Sequence, residues 1–501
     1  MDVENLFKNV PKLFDRKHLN KDINEAILIH QGSLSLRFPY DTIAKTLDNW
    51  NITLEEQIGK TLKDVTISAF NQTYLELKFK QGEIQFDWHP CPRMVLEIKY
   101  SDEENVLEYF LGQESVDVFV CDKLLGTIPI LFGSSTISHL GRQGVFQGVV
   151  QEKEIEDDDN KLVQKIEFSI TNLPFSYGEI TQNEDNGKLR SKRNRLRFSI
   201  SNGVEMVIDG RYDLKDKILK DLKNASGHCI THHGYMNFES GMTIDEARNV
   251  LNTLRFCLSF FAGSHIGMVF IEFYDENTSI DSQISYHTKF RPYKDVIKPI
   301  CDDPWVNSRF LEQMHEIRKT EDDEQALSDL LHWYIEANSN QGHTEGSLIL
   351  AQVGIELLWN WILFDKLKMI TKNDGERISA ASKIQMLCTY IGINLDENQI
   401  SDDFHKFSKS KKMSVSEAVV NLRNRQVHST KSKRESLKSY SQNIVDEARE
   451  ILLAIIDRYI LNIGNYEEGR NYWNRLKRTY EPFHPTLKEF DFNEMIQSQN
   501  E

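Results

Sequence analysis

Three side chains near the end of a helical pattern have the types and spacing needed to act on a phosphodiester: Arg423, Asn424 and His428, in the segment NLRNRQVHS. An arginine guanidinium offers a planar set of donors that fits phosphate oxygens. A histidine imidazole takes up and releases protons near neutral pH. Together they form a minimal set for cleaving a phosphodiester without a metal ion. A basic helix end with a surface histidine has the same spacing, so both interpretations stay open.

The surroundings of this motif are basic, although the chain of 501 residues has a formal charge of −16. Between residues 406 and 438, ten residues are basic and two are acidic. A basic island on an acidic protein favours a local site for a polyanion such as RNA. A solvated loop rich in lysine and serine is the alternative. The predicted RNA-binding residues are Lys406, Lys409, Lys411, Lys412, Arg425, Lys431 and Lys433.

A helix must carry the motif, because the apolar residues before it recur three or four positions apart. They are Val415, Ala418, Val419 and Leu422. Similar patterns lie at residues 327–334, 348–362, 378–391 and 440–463. Short connections between such helices favour an up-and-down bundle, with the tail after Gly464 wrapped around its outside.

A polar column runs along the second of these patterns. Gln352, Glu356 and Asn360 are four residues apart, so they share one helix face, and apolar residues flank them. Buried polar groups need partners. The column is therefore either an internal hydrogen-bond network or a support for the motif, in which Glu356 orients Arg423 or His428.

Residues 1–304 are predicted to form a β-rich region, because short alternating runs are separated by turn-forming residues. Antiparallel strands of this kind favour a sandwich or a barrel-like domain. Thr243 and Glu246 form a capping box that predicts one helix, which Gly263 ends. We expect an α+β multidomain protein, with the β-rich region at 1–304 and an all-α bundle at 305–501.

Two further clusters have more than one interpretation. The segment 228–233 holds His228, Cys229, His232 and His233, but no second ligand pair stands at a suitable distance, so no metal site is predicted. Residues 188–197 are strongly basic, which is typical either of a binding surface or of an exposed loop entering a strand. The loop is favoured, because no aromatic residue is interleaved to stack on a base.

Composition excludes several classes of protein. The six cysteines include no C-x-x-C pair, which argues against a disulfide framework and favours a reducing cytoplasm. No apolar run approaches the roughly 20 residues that span a bilayer, so no membrane association is expected. No phosphate-binding loop and no nucleophile elbow are present, so nucleoside triphosphatase and esterase activities are unsupported.

The motif in its helical setting resembles that of the HEPN superfamily of ribonucleases, whose hallmark is Arg, a polar residue, several residues and then His. Arg423, Asn424 and His428 match these three elements. A β-rich N-terminal half joined to such a module resembles the ApeA type of bacterial antiphage protein. The resemblance implies a metal-independent endoribonuclease without a cofactor, active in abortive infection, whose N-terminal region senses a phage-derived trigger or regulates the nuclease.

The resemblance also implies a homodimer, and helix geometry agrees with it. Residues five apart on an α-helix point about 140° apart. One copy of Arg423 and His428 therefore does not easily converge on a single phosphate, whereas two copies facing each other across a two-fold axis can. Two alternatives remain: a non-catalytic module that binds RNA or a nucleotide, and a toxin restrained by a separate antitoxin.

Overall fold

The computed structural model describes strands within residues 27–149 and then residues 162–174, 179–185, 188–200, 203–211, 230–275, 278–283, 304–339, 344–368, 371–395, 400–427 and 441–485. In these ranges a β-rich region precedes a helical region, as predicted. The chain forms two compact units. The first comprises residues 1–196, 203–247 and 266–295, and the second comprises residues 197–202, 248–265 and 296–501.

Antiparallel strands make up the first unit. Numbered β1 to β18 in chain order, they are Ile27–His30, Ser33–Leu36, Thr61–Leu62, Val65–Ser68, Glu76–Phe79, Gly82–Asp87, Arg93–Ser101, Ser115–Val120, Lys123–Pro129, Gly133–Ser138, Gly141–Val149, Val163–Thr171, Glu179–Asp185, Lys188–Ile200, Val204–Gly210, Ile230–Met242, Gly267–Asp275 and Thr278–Gln283. The largest sheet has the order β13-β14-β15-β16-β12-β17-β18. Its strand β12 is buried along most of its length, so the core of this unit lies against its centre.

The basic stretch 188–197 is not the loop that the sequence favoured. It lies in β14, which pairs with β13 from Lys188 to Arg195. Arg195 donates two hydrogen bonds, both of 2.7 Å, to the buried carboxylate of Asp209 on β15. Part of its positive charge is therefore neutralised inside the sheet, because Arg195 pairs with a carboxylate on a nearby strand.

Helices dominate the second unit. Numbered α1 to α9, they are Ile244–Ala262, Pro304–Ile317, Glu321–Ser339, Thr344–Trp359, Lys372–Gly375, Ala380–Tyr390, Asp402–Ser410, Val415–Val427 and Gln442–Ile463. A π-helical segment, Asn360–Lys366, continues α4. The patterns at 327–334, 348–362, 378–391 and 440–463 thus coincide with α3, α4 and its extension, α6 and α9. The sequence missed α2, the short α5 and α7.

The capping box predicted for α1 is confirmed. The amide of Glu246 donates to Thr243 Oγ1 at 3.3 Å, and the amide of Thr243 donates to Glu246 Oε2 at 3.0 Å. From Arg248 onward, however, this helix belongs to the helical unit. Aromatic packing holds it there: the centroid of the Phe260 ring lies 6.0 Å from that of Phe310 and 5.7 Å from that of Tyr334.

The described part of the tail, which ends at residue 485, does not only lie on the outside of the bundle as predicted, because it also sends side chains into the core. It forms a hairpin of two strands, β19 (Asn471–Asn474) and β20 (Thr479–Pro482). Arg475, in the turn, is fully buried, and Tyr466 and Phe483 also lie in the core. The hairpin therefore lies at the surface of the helical unit, with β20 mostly exposed, and these side chains anchor it in the core.

Among the described residues, one helix, Gly346–Lys366, is long and apolar enough to cross a membrane, with a mean hydropathy of 1.5. Most of it is buried inside the protein, and α4 packs against α3 and α9. Core helices of soluble proteins have the same length and composition, which is the simpler explanation here.

Candidate functional site

Helix α8 carries the predicted motif and is anchored in the core of the helical unit. A second capping box starts it, in which the amide of Ser414 donates to Glu417 Oε2 at 2.8 Å and the amide of Glu417 donates to Ser414 Oγ at 3.2 Å. The apolar residues of its predicted face are buried, and the helix packs against α4, α6, α7 and α9. Arg423 and Asn424 follow in the last turns, where both are half-buried.

The guanidinium of Arg423 has one hydrogen bond within the described part of the chain. Its Nη1 donates to Asn424 Oδ1 at 3.0 Å, while its Nε is buried without a partner there. Both amide atoms of Gln426 are likewise buried without a described partner. Arg423 and Gln426 are three positions apart, so the two side chains share one face of α8. Buried polar atoms are normally paired, so Arg423 Nε and the Gln426 amide are exceptions within the described residues.

His428 lies outside the described residues, as do Lys431 and Lys433. Their predicted roles in proton transfer and RNA binding therefore stay predictions.

Glu356 is engaged with a lysine that the sequence did not single out. Lys383 Nζ, on α6, lies 2.9 Å from Glu356 Oε2, and Gln352 Nε2 donates to Glu356 Oε1 at 3.3 Å. The same ammonium group lies 4.4 Å from the centroid of the Trp359 ring. Between Glu356 and Arg423 the structure has no hydrogen bond.

The polar column continues only as far as Glu356. Gln352 is buried and Glu356 is half-buried, but Asn360 is exposed, since it begins the π-helical segment, where the residue spacing per turn changes. The described contacts thus favour the internal network over the orienting role. Nothing in the sequence pairs residue 356 with residue 383, because the two lie on different helices.

We expect Glu356→Gln to weaken the packing between α4 and α6. The ion pair is partly exposed, with 36% of the Glu356 side chain and 13% of the Lys383 side chain accessible, so a coupling energy of about 0.5 to 1 kcal/mol is expected. A double-mutant cycle of Glu356→Gln and Lys383→Met, followed by urea denaturation, measures it. Coupling indistinguishable from zero would show that the pair contributes nothing.

Most of the predicted RNA-binding residues that the structure describes are exposed to solvent. Lys406, Lys409, Lys411 and Lys412 are exposed, and the first two lie on α7 rather than in a loop. Lys406 is 3.8 Å from Asp403, a contact too exposed to hold it in place. Arg425 donates to Asn421 Oδ1 at 2.6 Å. The four lysines are therefore accessible to a polyanion.

The adjacent histidines of the first unit are buried in β16 and form no shared metal site. Nδ1 of His233 lies 3.0 Å from Ser169 Oγ, and Nδ1 of His232 lies 2.9 Å from Thr231 Oγ1. Burial, and then the charge of Arg211, lowers the pKa of His233 well below its ordinary value. His233 is therefore a neutral core residue, and His232 is buried beside it.

A buried ionic cluster, which the sequence also missed, joins the hairpin turn to the helices. Arg475 bonds to Asp457 and lies 3.1 Å from Glu450 Oε2, both on α9. Its Nη2 donates to Tyr334 Oη at 2.7 Å, and its Nη1 donates to Asn338 Oδ1 at 3.1 Å. A single arginine in a polar tail carries no periodic signal, so only the fold reveals its burial.

Two family models match parts of the chain: the YopA central domain over residues 158–296 and the YopA C-terminal domain over residues 320–484. The SPbeta prophage-derived uncharacterized protein YopA of Bacillus subtilis (strain 168) is 24% identical over 423 residues, covering 79% of this chain and 87% of that protein. No solved structure matches the chain. The chain is therefore similar to YopA in both its central and its C-terminal parts.

Proposed function

We propose that the helical unit is a metal-independent endoribonuclease of the HEPN type, within an antiphage protein of ApeA-like layout. The observation that carries the proposal is the end of α8, where the half-buried Arg423 is held by Asn424 through one guanidinium nitrogen, Nη1. An arginine held by one neighbour with a donor to spare suits a phosphate group.

In the proposed reaction, His428 moves the proton of the ribose 2′-hydroxyl or of the leaving 5′-oxygen. Arg423 stabilises the negative charge that develops on the phosphate in the transition state. Asn424 fixes the guanidinium through its Oδ1, as observed, and its amide nitrogen is then available to the phosphate or to His428. The products are a 2′,3′-cyclic phosphate or the 3′-phosphate it opens to, and a 5′-hydroxyl. Only RNA carries the 2′-hydroxyl that this chemistry needs.

A second copy of the chain completes the proposed site. The buried amide of Gln426 lies on the same face of α8 as Arg423 and has no described partner. In a homodimer through the helical unit, a two-fold axis brings this end of α8 from both copies together, since such an interface repeats every contact. Two copies of the motif then face one RNA strand.

The rest of the proposed role comes from the resemblance. The exposed lysines of α7 and the turn after it attract RNA, and the β-rich region senses a phage-derived trigger or restrains the nuclease in the cytoplasm. The relative in Bacillus subtilis is named as prophage-derived and uncharacterized, so its name leaves the activity open. The rival functions are a binding module without catalysis and a toxin restrained by an antitoxin.

The proposal is tested by incubating the purified full-length protein with a labelled RNA in EDTA. We expect cleavage to continue, and the new ends to be cyclic phosphates and 5′-hydroxyls. The control is the same RNA with 2′-deoxy substitutions, which must stay intact. Cleavage that stops in EDTA and returns only with Mg²⁺ or Mn²⁺ would contradict the mechanism. RNA binding without any cleavage would favour the binding module.

A further inference from the structure

Two histidines and a glutamate meet in the helical unit, apart from the motif helix α8. They are His265, His332 and Glu336, and one ligand atom from each lies within 4.8 Å of the other two. All three side chains are half-buried. Imidazole nitrogens and a carboxylate oxygen are the donors that Zn²⁺ takes in proteins, where two histidines and one acid are a known set.

Helix geometry accounts for two of the three ligands. His332 and Glu336 are four residues apart on α3, so they project from the same face of the helix. The segment that holds them, HWYIE, therefore contains a signal that sequence reasoning overlooked. The residues between them include Tyr334 and Ile335, which are fully buried and fix the rotation of α3.

The third ligand comes from the turn that ends α1. Gly263 adopts φ +63°, a conformation that glycine tolerates best, and the amide of Ser264 donates to Ser259 O at 3.1 Å. Asn338 Nδ2 on α3 donates to Gly263 O at 3.0 Å, which ties this turn to the helix carrying the other two ligands. His265 follows directly, and its ring stacks on that of His332 at 5.8 Å between centroids.

We infer that His265, His332 and Glu336 form a binding site for a divalent transition metal, of which Zn²⁺ fits the donors best. Nitrogen and oxygen ligand atoms lie about 2.0 to 2.2 Å from a Zn²⁺ ion, and in a tetrahedral site they are therefore roughly 3.4 Å from one another. Closing the cluster onto an ion thus needs small side-chain rotations. With three protein ligands and partial exposure, the fourth position is open to water. The site would fasten the end of α1 to α3, and it does not rest on the proposed ribonuclease activity.

The experiment uses the full-length protein, freed of metal with EDTA and dialysed. Zn²⁺ is titrated in competition with a chromogenic chelator, and Co²⁺ serves as a second probe, because its visible absorption reports coordination geometry. We expect one tight Zn²⁺ per chain and a rise in melting temperature on binding. In His332→Gln and in Glu336→Gln, the affinity for Zn²⁺ should fall by more than about 100-fold. Even the substitution of a residue that only hydrogen-bonds to a metal ligand lowers metal affinity roughly 10- to 100-fold.

The matched control is His405→Gln, which replaces a half-buried histidine on α7 outside the cluster and should leave Zn²⁺ affinity unchanged. Circular dichroism shows which variants are folded, and His265→Gln replaces His332→Gln if the latter does not fold. The inference is overturned if the wild-type protein binds no Zn²⁺ tightly. It is equally overturned if folded cluster variants and His405→Gln bind Zn²⁺ as the wild type does.

Discussion

Replacing Arg475 by methionine is expected to destabilise the helical unit by about 3 to 5 kcal/mol, because it leaves the buried carboxylate of Asp457 without a cation and removes one of the two cations that pair with Glu450. Arg475 is fully buried and bonds to Asp457 and Glu450 of α9. Burial opposes ionisation of Glu450, but the charges of Arg475 and Arg449 outweigh burial and hold its pKa below the ordinary value. Methionine fills much of the volume but supplies no charge. Urea denaturation followed by circular dichroism measures the loss.

The loss should depend on pH with a defined sign. Burial raises the pKa of Asp457, and the charge of Arg475 works against that rise. Without Arg475 this pKa rises further, so the folded variant holds a proton on Asp457 that the unfolded chain has released. Its stability should therefore recover as the pH falls from neutral toward about 3.9, the pKa of an unfolded aspartate.

The control is Arg478→Met, because Arg478 lies in the same turn but is exposed. A surface change of this kind should shift stability by no more than about 0.5 kcal/mol. Arg475→Met as stable as Arg478→Met would mean that the buried cluster contributes nothing to the fold.

Replacing His428 by alanine is expected to lower the rate of RNA cleavage by about 100- to 10,000-fold, the range that general acid–base catalysis supplies. RNA affinity should stay nearly unchanged, because a neutral imidazole attracts phosphate weakly. In cells, the variant protein should be harmless and should no longer protect against phage. Single-turnover cleavage and filter binding measure the two effects separately.

Matched variants separate catalysis from charge. His405→Ala removes a histidine from α7 and should leave cleavage intact. Arg423→Ala should abolish cleavage, whereas Arg425→Ala, two residues along α8, should mainly weaken binding and flatten its salt dependence by roughly one unit of slope per lost phosphate contact. If the His428→Ala protein cuts RNA at the wild-type rate, the motif has no catalytic role and is only the basic end of a helix.

Local sequence patterns were sufficient to predict helices α1 and α8. The capping box at Thr243 and Glu246, and the apolar spacing before Arg423, each involve residues within one or two helical turns, and both helices formed as expected. Helix α7 was missed because its lysines and serines resemble a loop, and because Phe404 and Phe407 are its only apolar residues.

Contacts between distant segments were decided by the tertiary structure. The sequence by itself determined the order of the two regions, the helix that carries Arg423 and Asn424, and the accessible lysines beside them. The fold decided that Lys383 bonds to Glu356, that Arg475 enters the core and that His265 meets His332. The side-chain contacts behind these three outcomes join residues at least 18 positions apart along the chain. Periodicity reports which face of an element is buried, but it carries no information on which other element covers that face.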